Sequence, residues 1–176
     1  MASSSSTSPN PIAIWPSVCL AVLTIAALAH FGAQWPRLPD LVGTHFNAQG
    51  VADHLMSKTA YAIWEIGLLV GHPLFLIGIA YVGRYLPDSL QNMPNKEYWL
   101  HPDRREAVFR DMTRLVIWIA CLCQLLMIVV SHEVFLANTA NEKLSSLRVY
   151  LAVGLFITAI LVLVVRQYIK YARVGA

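Results

Sequence analysis

The sequence predicts an all-α polytopic membrane protein: a bundle of four transmembrane helices carrying an ordered outer loop. Three observations predict it. Of the 176 residues, 57% are hydrophobic and only 13% are charged, against about 25% charged in soluble domains. The mean hydropathy is +0.55. Apolar stretches also recur at the length of roughly 20 residues needed to cross about 30 Å of hydrocarbon at 1.5 Å per residue.

The expected spans are residues 12–34, 62–85, 115–137 and 148–168. Each is apolar around its full circumference, as lipid-exposed helices are, and a helix satisfies its own backbone hydrogen bonds inside hydrocarbon. They form one membrane domain, 12–176, preceded by a Ser-rich, uncharged tail, 1–11, expected to be disordered. Ala27-Leu28-Ala29 resembles a signal-peptide cleavage site. No Lys or Arg precedes the apolar segment, however, and that segment is longer than a signal peptide's, so an uncleaved first span is expected. Neither a Gly after Met1 nor a C-terminal prenylation Cys signals a lipid anchor.

Orientation follows from Lys and Arg. Nine of the thirteen (Arg84, Lys96, Arg104, Arg105, Arg110, Arg114, Arg166, Lys170 and Arg173) fall on one side, and four (Arg37, Lys58, Lys143 and Arg148) on the other. Positively charged loops stay inside, so both termini and the middle loop are expected in the cytoplasm, with 35–61 and 138–147 outside. Trp15, Trp35, Trp64, Trp99, Tyr61, Tyr85 and Tyr168 lie near span ends, where amphipathic rings prefer the interface. The net charge of +3 marks topology and not a nucleic-acid surface, because the cations form no stripe interleaved with aromatics. Cys19, Cys121 and Cys123 lie within apolar segments and are expected as small hydrophobes, not as a disulfide framework or a metal site.

The middle loop, 87–111, holds Asn95, Lys96, Tyr98 and Trp99, followed by Arg104 and Arg105. From about Asp103 onward it is expected to be helical and to run into the third span, with Pro102 at its start. Two readings stand for this loop, a membrane-surface anchor and a docking point for a cytoplasmic partner. In the last span Gly154 and Thr158, four apart, permit a close neighbouring helix or self-association.

Ionisable groups at membrane depth cost about 2.5–3.5 kcal/mol at a helix centre and so need a reason. His30, Glu65, His132 and Glu133 lie toward the outer ends of their spans, and His45 and His54 lie in the outer loop. His45, His54, Glu65, His132 and Glu133 are therefore candidate ligands for a divalent metal ion, with interfacial or packing roles as the alternative, since no His-x-x-x-His spacing occurs. Glu65 and His72, seven apart, fall on one helix face. His72 precedes Pro73, where a mid-span proline frees a carbonyl and bends the helix; a neutral, hydrogen-bonded core histidine is expected there. No phosphate-binding Gly loop and no G-x-S-x-G context is present, and no catalytic residue is assigned.

In the outer loop, Pro36 and Pro39 stop the first helix, while 47–50 has turn chemistry and Gly50 can take positive φ. Asp40 and Asp53 are within sequence reach of Arg37 and Lys58 for exposed ion pairs. The loop reads Leu38-Pro39, then Thr44-His45-Phe46-Asn47, Gly50, Asp53 and Ser57-Lys58. In this pattern it resembles the bacterial membrane domain of unknown function 1648, which also forms the N-terminal part of SdpI-type toxin-immunity proteins. The resemblance runs over about 13–114 and implies a helical bundle in the bacterial inner membrane, with Pro39, His45, Phe46, Asn47, Gly50, Asp53, Ser57 and Lys58 as the family's outer motif. His45 and Asn47 either hold the loop by hydrogen bonds or contact a ligand.

The expectation is thus a small non-catalytic inner-membrane protein that senses or binds something at its outer loop, or acts as an immunity-like protein. An accessory subunit of a larger complex and a metal- or proton-linked transporter or enzyme are the alternatives. The lipid bilayer is the expected partner, with a membrane or cytoplasmic protein or a second copy as further candidates and nucleic acid excluded.

Overall fold

The computed structural model describes residues 11–140 and 143–174. The tail expected to be disordered lies outside these residues except for Pro11, which opens helix α1, Pro11–Gln34. A proline is accommodated at a helix start because its missing N–H would have had no partner there. A single 3₁₀ turn, Trp35–Arg37, ends the segment before Pro39. Strands β1, Leu41–Phe46, and β2, Ala52–Ser57, then form an antiparallel hairpin. The second spanning helix is α2, Lys58–Ile66, a π-helical turn, Gly67–Gly71, and α3, His72–Gly83. A short α4, Lys96–Trp99, lies in the middle loop, followed by α5, Pro102–Thr139, and α6, Ser146–Ala172.

Among the described residues, four helices are long and apolar enough to cross a membrane, as expected. Their bounds depart from the hydropathy reading by four residues at the start of α2 and at the end of α6. Helix α2 begins four residues early because Ser57 caps it, its Oγ accepting from the Ala60 N–H at 3.2 Å. Helix α5 runs 38 residues because, as expected, Pro102 and Asp103 start it well before the apolar stretch.

Helix α5 is central and packs against α1, α3 and α6. Pairings along its length fix the directions of its neighbours. Near Cys121 lies Pro16 of α1, and near His132 lies Gln34, so α1 and α5 run parallel. Contacts of Gln124 with Leu69 and of Arg84 with Glu106 make the second spanning helix antiparallel. Arg148 against Glu133 and Lys170 against Asp111 do the same for α6. The hairpin and the α5–α6 connection therefore share one end of the bundle, and the middle loop with the end of α6 shares the other, here called the basic end. At the hairpin end Ala27, Phe31, Val42, Tyr61, Leu69, Val134 and Phe135 form one buried cluster.

The bend expected at Pro73 has a specific remedy. In a regular helix the N–H at position 73 would reach the Leu69 carbonyl, and proline has none. Gln124, fully buried, donates its Nε2 to that carbonyl at 3.0 Å. Orphaned backbone groups are not tolerated in hydrocarbon, which accounts for a glutamine in mid-span. Gln124→Leu should cost about 1–3 kcal/mol in a detergent unfolding titration. In a Pro73→Ala background, which restores the N–H, that cost should fall by at least about 0.5 kcal/mol; equal costs in both backgrounds would remove this role.

Helix α6 is the least enclosed. Gly154, expected at a close helix contact or a self-association face, has no neighbour within this chain where a side chain would project, and the Thr158 hydroxyl donates to its carbonyl at 2.8 Å.

Candidate functional site: the hairpin and its sockets

The loop expected to lie outside, residues 35–61, contains a β-hairpin. Its ladder pairs Leu41 with Ser57, Val42 with Met56, Gly43 with Leu55, His45 with His54 and Phe46 with Ala52. Thr44 is extra on one strand and Asp53 on the other, so the two irregularities offset and the register recovers. These breaks interrupt the period-two alternation by which a strand is read from sequence.

The turn is built by Asn47. Its N–H donates to the Val51 carbonyl at 2.9 Å, its carbonyl accepts from Gly50 N–H at 2.9 Å, and its side-chain Oδ1 accepts from the N–H groups of Gln49 and Val51 at 3.0 Å each. Gly50 takes φ +73°, the left-handed region that glycine enters without steric cost. Its carbonyl accepts from the Leu144 N–H at 3.0 Å, which ties the turn to the α5–α6 connection.

Two further sockets hold the hairpin. Asn138, near the end of α5, acts as a side-chain strand against β1. The Gly43 N–H donates to its Oδ1 at 2.7 Å, and its Nδ2 donates to the Gly43 carbonyl at 3.0 Å. A Cβ at position 43 would lie 2.6 Å from that of Ala52, so glycine is required there. Lys58 donates its Nζ to the Leu38 carbonyl at 2.8 Å and lies 4.8 Å above the Trp35 ring, while its N–H reaches the Asp40 carbonyl at 2.8 Å. Phe46 packs on the hairpin-end cluster, and Pro39 is exposed at the entry to β1.

Asn47, Gly50, Ser57 and Lys58 of the motif thus have structural tasks. His45 and Asp53 do not. His45 Nδ1 lies 2.5 Å from Asp53 Oδ1, and their side chains are 73% and 45% exposed. The expected exposed pairs do not form among the described residues: Asp53 faces His45, Lys58 turns to backbone, and the Arg37 guanidinium lies 5.1 Å above the Phe135 ring. Gly43, Asn138 and Leu144 were not singled out in the sequence; a glycine amid β-branched residues and an asparagine at a helix end were the available hints.

The family model of the domain of unknown function DUF1648 matches residues 22–70. The DUF1648 stretch starts within α1, contains the whole hairpin and ends in the π-helical turn, so it is the hairpin with the two helix segments that hold it. It is narrower than the 13–114 resemblance, and the middle loop stands outside it. No curated protein and no solved structure matches the chain.

The five candidate metal ligands do not form one group, and among the described residues no three His, Cys, Asp or Glu side chains converge as a metal site. His54 Nδ1 lies 3.4 Å from the Thr44 hydroxyl on the hairpin. The other three candidates, Glu65 on α2 and His132 and Glu133 on α5, are kept apart by the winding of α5. Consecutive residues are about 100° apart, so Ser131, His132 and Glu133 point at three different neighbours. Ser131 faces Tyr61 and Glu65 of α2. His132 meets Gln34 of α1 through Nδ1 at 3.3 Å and the His30 ring at 5.2 Å between centroids, and Gln34 Nε2 lies 2.7 Å from His30 Nε2. Glu133 pairs with Arg148 of α6 at 2.7 Å. This three-way hub sets the rotation of α5 against its neighbours.

Two other readings are corrected. His72, expected to be hydrogen-bonded, buries its Nδ1 without a partner among the described residues. The face it was to share with Glu65 is offset by the intervening π turn, whose wider winding breaks the seven-residue coincidence.

The middle loop caps α6. Asn95 Nδ2 donates to the carbonyls of Tyr171 and Ala172 at 3.2 and 3.0 Å, and Trp99 Nε1 donates to that of Tyr171 at 2.8 Å. Asn95 sits at φ +51° to do so. Arg104 donates Nε to the Tyr98 carbonyl and lies 3.9 Å above its ring, and Arg105 pairs with Asp88. Lys96 begins α4.

Proposed function

We propose that this is a non-catalytic binding or sensing protein of the bacterial inner membrane, acting through the hairpin, which faces outward while both termini lie in the cytoplasm. The nine-to-four distribution of Lys and Arg supports that orientation. The observation that carries the reading is the contrast along the hairpin. Strand β1 is clamped by Asn138, and the turn is tied to Leu144. Strand β2 is exposed along nearly its whole length, and among the described residues none of its backbone groups from 52 to 56 bonds outside the β1–β2 ladder. An unpaired, rigidly held edge is what an extended polypeptide adds to as a further strand, with alternate side chains providing selectivity. His45, Asp53, His54 and the exposed Leu55 are the side chains available for that task. An immunity-like role is the case in which the bound polypeptide is a toxin segment.

The test separates scaffold from contact. His45→Ala with Asp53→Asn removes an exposed pair worth at most about 1 kcal/mol, so the double variant should insert and melt like the parent. Asn47→Ala removes both side-chain turn bonds and should loosen the hairpin by about 1–2 kcal/mol. A photo-crosslinker at position 54, in intact cells, should give a discrete protein adduct in the parent and lose it in the double variant. Lipid adducts alone, or an unchanged adduct in the double variant, would contradict the reading.

A further inference from the structure

The α5–α6 interface opens toward the basic end into a groove of about 710 Å³. Its inner walls are apolar, with Trp118 and Leu122 on α5 and Val162 and Leu163 on α6. Its mouth holds three cations, Arg114, Arg166 and Lys170, against one carboxylate, Asp111. Asp111 is already engaged: it pairs with Lys170, accepts from the Tyr171 hydroxyl at 3.1 Å and lies 3.4 Å from Arg114 Nη1. Arg166 has no acidic partner among the described residues, and the Arg114 Nε is buried without an acceptor. The mouth therefore carries an excess of two positive charges and unsatisfied guanidinium donors, immediately above an apolar slot running from position 114 to 122. That distance is about 12 Å at 1.5 Å per residue.

An occupant must be anionic at one end and apolar along the other, and must reach the groove from the bilayer, because α6 presents its flank to lipid. A soluble anion would satisfy the mouth and leave the slot unfilled. A neighbouring apolar helix would fill the slot and leave Arg166 unpaired. We infer that the α5–α6 groove is a specific site for an anionic phospholipid, its headgroup phosphate bound by Arg166 and Arg114 and one acyl chain lying between Trp118 and Val162. Arginine forks suit phosphate oxygens bidentately, and basic pockets between membrane helices hold anionic headgroups in this manner. The site is remote from the hairpin and does not rest on the function proposed for it.

Delipidated full-length protein in detergent is titrated with phosphatidylglycerol or phosphatidylcholine of identical chains and followed by native mass spectrometry. One phosphatidylglycerol should be retained at activation energies that strip phosphatidylcholine, with at least a tenfold preference. Arg166→Gln with Arg114→Gln should abolish the preference. Val162→Trp, which fills the slot and leaves every charge in place, should lower retention of both lipids, and unchanged thermal midpoints establish that the variants are folded. Phosphatidylglycerol with brominated chains should quench Trp118, and that quenching should vanish in Trp118→Phe. Equal retention of the two lipids, a preference that survives the double arginine variant, or quenching unchanged in Trp118→Phe would each overturn the assignment.

Discussion

Arg148→Ala is expected to destabilise the bundle by about 3–5 kcal/mol, the penalty for leaving one member of a buried ion pair uncompensated. The size follows from the asymmetry of the pair. Arg148 is half exposed at the start of α6, but the Glu133 side chain is only 5% exposed, and its Oε2 already lacks a hydrogen bond among the described residues. With the guanidinium gone, the carboxylate loses its one ion-pair partner among the described residues. The loss should appear as a lowered midpoint in thermal or denaturant unfolding of the solubilised protein. The cost belongs to the orphaned carboxylate rather than to the attraction of the pair. Glu133→Leu combined with Arg148→Leu should therefore recover most of the stability, as apolar replacement of buried pairs often does. A single-variant loss below about 1 kcal/mol would place the pair among exposed, weakly coupled ones.

Gly50→Ala is the second large effect, expected at about 2–3 kcal/mol. A residue with a Cβ pays roughly 1–2 kcal/mol for the left-handed backbone at φ +73°. The added carbon would also stand 2.5 Å from the Leu144 carbonyl oxygen, a backbone atom that cannot swing aside. Relief requires the turn and the α5–α6 connection to part, which loses the Leu144-to-Gly50 hydrogen bond, worth about 1 kcal/mol. The same chemical change at Gly154 meets open space within a helix and should be neutral or stabilising by up to about 1 kcal/mol. The comparison isolates position from chemistry. Equal effects at 50 and 154 would show that the turn is not fastened to the connection.

The four spanning helices were legible because hydropathy over 20 residues is a summed property, insensitive to any one side chain. The same summation hid the events within a helix. Pro73 was visible and its unmet carbonyl predictable, but only the packing of α5 on the second spanning helix shows that Gln124 meets it. The hairpin reads in the sequence as an ordered loop because its strands are six residues long and Thr44 and Asp53 break their alternation. Its fastenings were less accessible still, since Asn138 is 95 residues from Gly43 and Leu144 is nearly as far from Gly50. The histidines and glutamates expected toward the outer face share a depth, which sequence reports. Their separation follows from azimuth around α5, which only the neighbours of that helix define. In the middle loop, Tyr98 and Trp99 read as interfacial residues, whereas the carbonyls that Asn95 and Trp99 cap lie more than 70 residues further along.

Hydrogen exchange by mass spectrometry, on the protein in lipid nanodiscs, tests the central claim that the hairpin is a rigid, fastened element with one open edge. The hydrogen-bonded amides of Gly43, Gly50, Val51, Lys58 and Leu144 should exchange orders of magnitude more slowly than an unstructured chain, while the outward amides of β2 exchange fast. Uniformly fast exchange across 41–58 and at Leu144 would make this segment a slack tether and contradict the account.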